Sequence, residues 1–549
     1  MLSIISFIGF TALVAIIAWY ATRKTDETSA DGFYLAGRSL GALTIAGSLL
    51  LTNLSAEQIV GLNGSAFKEG LMVMAWETLA AIAIIFGALF LLPKYLGSGI
   101  TTIPEFIETR FDKNTKALLS LLFLIAYAIV LLPTILYSGS LAFSTMFDLP
   151  QLLGVSQNAV IWICVWSIGI IGVIYAIFGG LKAVAVSDLI NAIGLLIGGL
   201  LIPIFGLILI GDGNIGEGLS VLWESNPDKF DMRGEVDSSI PFGTLFTGMM
   251  LAQIYYWGTN QSILQRVFAA KSLKEGQKGM LLAAFVKFVI PVVVVLPGII
   301  AWHIFDGNLE NADQAYPALV KEVLPTAFIG FFAAVLFGAV LSSFNSLLNS
   351  SATLFGFDLY KQYFNKEATE KETVKAGKRF GLIVAAISML IAPFIANAPD
   401  GLFSYIQQSL GSLSVPILAV VLIGVYTKKV PAIGAKFVLT VGVLLYLVSL
   451  IGLEPHFRGV AEAQAIADGV TNIKELSVIK ANAYPHYLHV MGILFVFNII
   501  VMLVAGKLRP KVDEYIPKET DIIDTTPWKH AITISIIIAV LVLATYFVF

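Results

Sequence analysis

Cysteine is almost absent from this chain. A single residue, Cys164, among 549 excludes an intrachain disulfide framework and offers no thiolate cluster for a metal. Charge is scarce as well, at 13% of residues, about half the share a soluble domain carries. The five histidines (His303, His456, His486, His489 and His530) have no HExxH spacing, so zinc-hydrolase chemistry finds no support. No nucleophile–base pair and no soluble signalling domain stand out, which argues against an enzyme or a sensor. A net charge of −3 without a basic cluster gives no reason to expect a nucleic-acid partner.

What fills the chain is apolar: 57% of residues are hydrophobic. With about 20 apolar residues needed per membrane crossing, about fourteen transmembrane helices are predicted, making this an all-α integral membrane protein. The first run, SIISFIGFTALVAIIAWY, has no preceding basic residues and no cleavage-like site, so it is expected to be a retained helix. Alternating the loops between two sides puts 26 of the 34 lysines and arginines on one side and seven on the other, with Lys287 between them. That bias predicts both termini outside a cell membrane.

Lys287 stands inside LLAAFVKFVIPVVVVLPGIIAW. A charge at that depth costs about 2.5–3.5 kcal/mol on insertion scales, so it needs a partner and usually has a purpose. Glu77, in LMVMAWETLAAIAIIFGALFLL, lies at comparable depth. Counting helical rise from the span ends leaves roughly 7 Å between their levels, a gap two long side chains and a solute can bridge.

Two apolar runs are interrupted. Thr52, Asn53, Ser55, Glu57 and Gln58 cross the middle of 40–66, and Gln253, Tyr255, Tyr256, Gly258, Thr259, Asn260 and Gln261 cross 241–267. Unpaired backbone in lipid is prohibitive, so these stretches must line an enclosed or watery cavity. They lie five spans apart and therefore run in opposite directions. That is the pattern of two inverted five-helix repeats, each opening with a discontinuous helix. The predicted organisation is an extra helix over 1–38, a first repeat over 39–212, a second over 213–427 and three further helices over 428–549.

At these residues the chain resembles the sodium/solute symporter family, close to its bacterial sodium/glucose and sodium/galactose cotransporters. The matching strings are FYLAGRSLG (33–41), NLSAEQIVGLNGSA (53–66), TIPEFIETRF (102–111), YAIFGGLKAVAVSDLI (175–190), YYWGTNQSILQRVFAAKSLKEGQKG (255–279), LSSFNSLLNSSATLFGFDLY (341–360) and YIQQSLGSLSVPILAV (405–420). The resemblance implies a leucine-transporter-like core of ten helices over about 40–427. It implies solute contacts from Gln58, Glu77, Lys287 and Gln407, with Tyr256 stacking under a sugar ring as an inner gate. Gln253 and Ala80 depart from a family asparagine and serine, which points away from galactose itself. Leu62, Trp76 and Phe403 fall at the outer hydrophobic gate. The chemistry is consistent, because sugar hydroxyls need donors, acceptors and an aromatic face.

For the ion, the resemblance implies a sodium site from the carbonyls of Leu51, Leu54 and Ala339 with the hydroxyls of Ser342 and Ser343. Oxygens suit a hard cation, and a helix break frees carbonyls. Asp188 lies by the same resemblance on the ion's route inward, and Glu57 is expected to be structural. The function so implied is Na⁺-coupled uptake of a neutral monosaccharide by alternating access, with no cofactor beyond Na⁺ as coupling ion. A sodium symporter of inositol, sialic acid, an amino acid or a vitamin is the main alternative, and an uncoupled facilitator a weaker one.

Overall fold

The computed structural model describes residues 2–22, 35–397, 401–517 and 523–548, without the side chains of 177–184 and a few at helix ends. Among the described residues the chain is all-α. Ten helices are long and apolar enough to cross a membrane, or eleven when the bent pair Leu273–Val289 and Pro291–Ile304 counts as one. The expectation of about fourteen is therefore met only in part. Ala42–Asn53 is apolar but short, the 241–267 run is cut in two, and the first helix, Leu2–Thr22, is 21 residues long with all side chains described only over 5–17. Of the basic residues used for orientation, Arg23, Lys24 and Lys518 lie outside the described residues.

The helices that frame the site are α1 (Leu2–Thr22), α2 (Ala42–Asn53), α3 (Ala56–Glu69), α4 (Ala75–Phe86), α5 (Lys113–Met146), α6 (Gln157–Ala176), α7 (Ala185–Ile210), α8 (Gly248–Thr259), α9 (Gln261–Phe268), α10 (Leu273–Val289) and α11 (Leu296–Ile304). They are followed by α12 (Thr326–Thr353), α13 (Glu370–Ile391), α14 (Leu402–Tyr426), α15 (Ala432–Ala467), α16 (Tyr487–Leu508) and α17 (Ala531–Val548). Helical hydrogen bonding continues from α6 into α7, yet the two pass their neighbours in opposite directions. Trp162 and Gly169 meet Phe394 and Met389 beside α13, whereas Gly194 and Gly198 meet Val335 and Phe332 of α12. Since a short link joins α12 to α13, each run is antiparallel to a different arm of that hairpin.

Both predicted breaks are present. Leu54 leaves the helical region at φ −81°, ψ 55° and Ser55 is extended. Asn260 is extended at φ −73°, ψ 124°, and its side chain accepts the Ser262 N–H at 3.0 Å and the Tyr127 hydroxyl at 3.0 Å. A third break was not anticipated: α10 and the helix after Pro291 bend by 48°, because proline removes an amide and clashes with the preceding turn. The half before the break, α2, packs on α7 and α10, while the half after it, α3, packs on α11.

That last contact is close because Gly298 lies on it. A Cβ there would sit 2.3 Å from the Asn63 carbonyl oxygen and 2.8 Å from the Ala66 Cβ. Gly298→Val is expected to cost about 1–3 kcal/mol, in the range of overpacked cores. It should lower the melting temperature of the detergent-solubilised protein, while Gly459→Ala, in open space, leaves it unchanged.

Candidate functional site

The cavity at the centre of the fold is walled by α2 and α3 at their break, α4, α8, α10 and α14. Asn53, Glu57, Gln58, Trp76, Glu77 and Ala80 line one side, and Gln253, Tyr256, Trp257, Lys287, Phe403 and Gln407 the other. The empty space, its mouth included, is about 750 Å³, within the usual ~300–1,000 Å³ of small-molecule sites. Every substrate residue expected from the sequence borders this space. Of the gate residues Trp76, Tyr256 and Phe403 do so, while Leu62 is buried beside Gly61, whose Cα abuts Phe403.

Glu77 and Lys287 do not stand apart as the depth arithmetic suggested. Lys287 Nζ donates directly to Glu77 Oε2, and Gln58 Nε2 donates to Glu77 Oε1 at 2.5 Å. Both charges are at most 1% exposed, and such a pair is tolerated only when hydrogen bonds satisfy the remaining lone pairs, which Gln58 does here. The Lys287 ammonium also lies 5.7 Å from the centre of the Trp257 ring. Gln253 turns its amide away from this pair and donates to the Trp76 carbonyl at 2.8 Å. Gln407 is half-buried and engages no hydrogen-bond partner among the described residues.

Above the cavity, Trp76 and Phe403 meet edge to face, with centroids 5.5 Å apart at 74°. Asp313, in the short 3₁₀ turn Ala312–Gln314, braces this pair. Its Oδ2 accepts the Leu402 N–H at 3.1 Å, one residue before Phe403. Its Oδ1 lies against Gly64, where a Cβ would come within 2.8 Å. Burial pushes the Asp313 carboxyl up to about 6, against the opposing pull of the Leu402 N–H and Lys68.

Below the break, α12 brings its serines against α2. Ser343 Oγ donates to the Thr52 carbonyl at 3.0 Å and the Leu51 carbonyl at 3.3 Å. An unbroken helix would return the Gln58 N–H to Leu54; here it goes to Ser55 at 3.1 Å, leaving the Leu54 carbonyl outside the ladder. Ser342 Oγ is buried near the Asp188 carboxylate with no hydrogen bond of good geometry among the described residues, and Ala339, one turn earlier, is fully buried. A hydroxyl in that condition beside freed carbonyls is a donor set that suits a hard cation.

Arg266 corrects the sequence reading. It is one of the 26 basic residues that the alternation of loops places together on one side, yet it is completely buried in α9. Its Nε donates to Ser48 Oγ at 3.0 Å, and its terminal nitrogens donate to the Ser262 carbonyl and to Ser346 Oγ. Ser48 in turn donates to Asp188 Oδ2 at 2.6 Å, and Ser346 donates to the Ser342 carbonyl at 2.6 Å. Asp188 is therefore held in one polar network with the helix that carries Ser342 and Ser343. Asn53, from the polar string at the break, and Met491, from α16, also line the cavity; nothing in the sequence around Met491 signals it.

A multi-span arrangement of this kind, with a polar cavity at a broken helix, is that of a membrane transporter. The chain belongs to the sodium:solute symporter family, whose model matches residues 33–442; its members and relatives are transporters, not enzymes. It is 43% identical over 545 residues to an uncharacterized symporter, YidK, of Escherichia coli K12, covering 99% of this chain and 90% of that one. It is 35% identical to the sodium/glucose cotransporter of Vibrio parahaemolyticus (79% and 83% covered) and 30% identical to the bovine sodium/myo-inositol cotransporter 2 (80% and 68%). A solved Na⁺-coupled sialic acid symporter, 20% identical, superposes with a TM-score of 0.68 over 91% of this chain and 98% of its own. The two share a fold.

Two predictions follow from the site geometry. Lys287→Ala leaves a buried carboxylate unpaired and should cost about 3–5 kcal/mol, whereas Lys287→Met with Glu77→Gln should recover much of that loss; urea unfolding of the purified protein measures both. Asp313→Asn keeps an acceptor for Leu402 without a buried charge. Neutral Asp313 contributes fully below its ordinary value of 3.8, and that contribution is lost as pH rises through about 6. The wild type should therefore fall behind Asp313→Asn in melting temperature between about pH 4 and 7; a gap that ignores pH would contradict this.

Proposed function

We propose that this symporter couples inward Na⁺ movement to uptake of a neutral, monosaccharide-like polyol by alternating access. The observation that carries this reading is one break serving two chemistries. Its upper side turns Gln58 into a cavity with amides, a carboxylate, an ammonium and the Tyr256 ring. Its lower side presents carbonyls to the serines of α12. Sodium is taken by the carbonyls of Leu51, Leu54 and Ala339 with Ser342 and Ser343, and leaves past Asp188. The solute is held by Gln58, Glu77, Gln253, Lys287 and Gln407, with Tyr256 as inner gate and Leu62, Trp76 and Phe403 as outer gate. The core is leucine-transporter-like, with two inverted repeats and both termini outside the cell membrane.

Neutrality of the cargo is supported by charge balance. Lys287 is matched by Glu77, and Arg266 is linked to Asp188 through Ser48, so neither cation is left over for a substrate carboxylate. The relatives named for glucose and myo-inositol favour a polyol in the same way. One Na⁺ moving through 100 mV supplies about 2.3 kcal/mol, and a tenfold gradient adds about 1.4. Together they sustain a several-hundred-fold accumulation of an uncharged solute.

The test is uptake of labelled sugars and polyols into proteoliposomes under an inward Na⁺ gradient, with K⁺ as control. Uphill uptake of one neutral solute is expected, abolished in Lys287→Ala and shifted at least tenfold in sodium dependence in Ser343→Ala. Uptake only of an acid, or uptake indifferent to sodium, would overturn the assignment.

A further inference from the structure

The link between α12 and α13 forms a second, unrelated cavity. The last turns of α12 continue as a π-helix, Leu354–Phe364, that lays Phe355, Tyr360 and Phe364 beside the start of α13. Phe355 stacks flat on Phe380, centroids 4.1 Å apart at 3°, and Tyr360 stacks on Phe364 at 6.2 Å and 13°. This aromatic shelf forms one side of an open groove of about 930 Å³, the solvent at its mouth included, whose other side is the stripe Glu372, Lys375, Ala376, Arg379, Phe380 and Ile383. These positions recur three and four apart, so they share one helix face.

The charges on that face are unbalanced. Glu372 is committed to the helix cap, accepting from the Thr369 N–H at 2.9 Å and the Thr369 hydroxyl at 3.0 Å. Lys375 and Arg379 are exposed, and neither has an ion-pair or hydrogen-bond partner among the described residues. One turn beyond Arg379, about 6 Å along the axis, an outward apolar stripe begins with Ile383 and continues through Ile387 and Leu390. Phe364, 72% exposed, flanks the same edge. Two free cations therefore sit where a lipid-facing surface gives way to water, over a ledge of rings. In the orientation proposed above, that boundary belongs to the cytoplasmic leaflet, where anionic lipids concentrate.

We infer that this cavity binds the headgroup of an anionic phospholipid, its phosphate held by Lys375 and Arg379 and its acyl chains laid along Ile383, Ile387 and Leu390. A guanidinium supplies bidentate bonds to phosphate oxygens and a lysine adds a mobile point charge. The glycerol backbone and first methylenes rest on the Phe355–Phe380 stack. A soluble anion would use the two cations but not the apolar stripe, so the lipid is the occupant that accounts for both. The site lies at the foot of the helix bearing Ser342 and Ser343, outside the transport cavity.

Native mass spectrometry of the detergent-purified full chain with added phosphatidylglycerol or phosphatidylcholine tests this. Phosphatidylglycerol should be retained in preference, with apparent affinity falling about fivefold for Lys375→Gln or Arg379→Gln and about thirtyfold for both together. Lys274→Gln removes the same charge from the exposed start of α10, away from the cavity, and should retain the lipid. Equal retention by the double variant and the wild type would overturn the site, as would a loss in Lys274→Gln matching that in Lys375→Gln. Displacement by millimolar inorganic phosphate would replace the lipid with a soluble anion. Lipid retention is read without transport or orientation, so its failure leaves the symport reading intact and failure of symport leaves this one intact.

Discussion

Everything at the centre of this molecule depends on one constraint: a peptide group taken out of its helical ladder, away from water, must find another partner. At Leu54 and Ser55 the ladder stops in mid-helix. The carbonyls of Leu51 and Thr52 are satisfied by Ser343 from α12, which couples that helix to the break. On the other side of the break, Gln58 in the first turn of α3 donates its side-chain amide to Glu77. Helix order, cavity position and the serine pair follow from the accounting of a few backbone groups.

The buried charges obey the same rule at larger scale. Lys287 reaches Glu77, Arg266 reaches Asp188 through a serine, and Lys116 lies 3.2 Å from the nearly inaccessible Asp358, whose other oxygen accepts Ser120 at 2.9 Å. Each arrangement joins helices distant in sequence. In a low-dielectric interior these links contribute specificity of packing more than net stability, because separating the partners costs far more than the pair returns. Among the described residues the buried polar atoms left over include Ser342 Oγ and one oxygen of Asp188, on two helices that pack against α2.

Much of this was legible in the sequence, for identifiable reasons. The breaks at 53–58 and 258–261 announced themselves because polar residues clustered where hydrocarbon depth demanded apolar ones. Glu77 and Lys287 were legible as isolated charges in apolar runs. Their direct contact was not, since depth along two helices fixes height but not lateral distance. Arg266 was misread because QSILQRVF lies next to a lysine-rich turn, and composition cannot tell an arginine facing inward from one facing a loop. The bend after Ile290 was foreshadowed only by Pro291, which a first-turn proline in an unbroken helix would match equally well. The count of about fourteen crossings assumed that every apolar run has the length of a span.

That bend has a mechanical meaning. Lys287 lies one turn before it on α10, a helix that packs against α2 and α4. Beyond it, α11 is interlocked with α3 through Gly298. Two neighbouring broken helices are thus articulated side by side, each segment tied to the corresponding segment of the other. A tilt of α3 and α11 together would turn about a common line through Leu54 and Ile290, like two leaves on one spindle. The ammonium of Lys287 and its carboxylate, on the stationary side of that line, would keep their bond through the stroke.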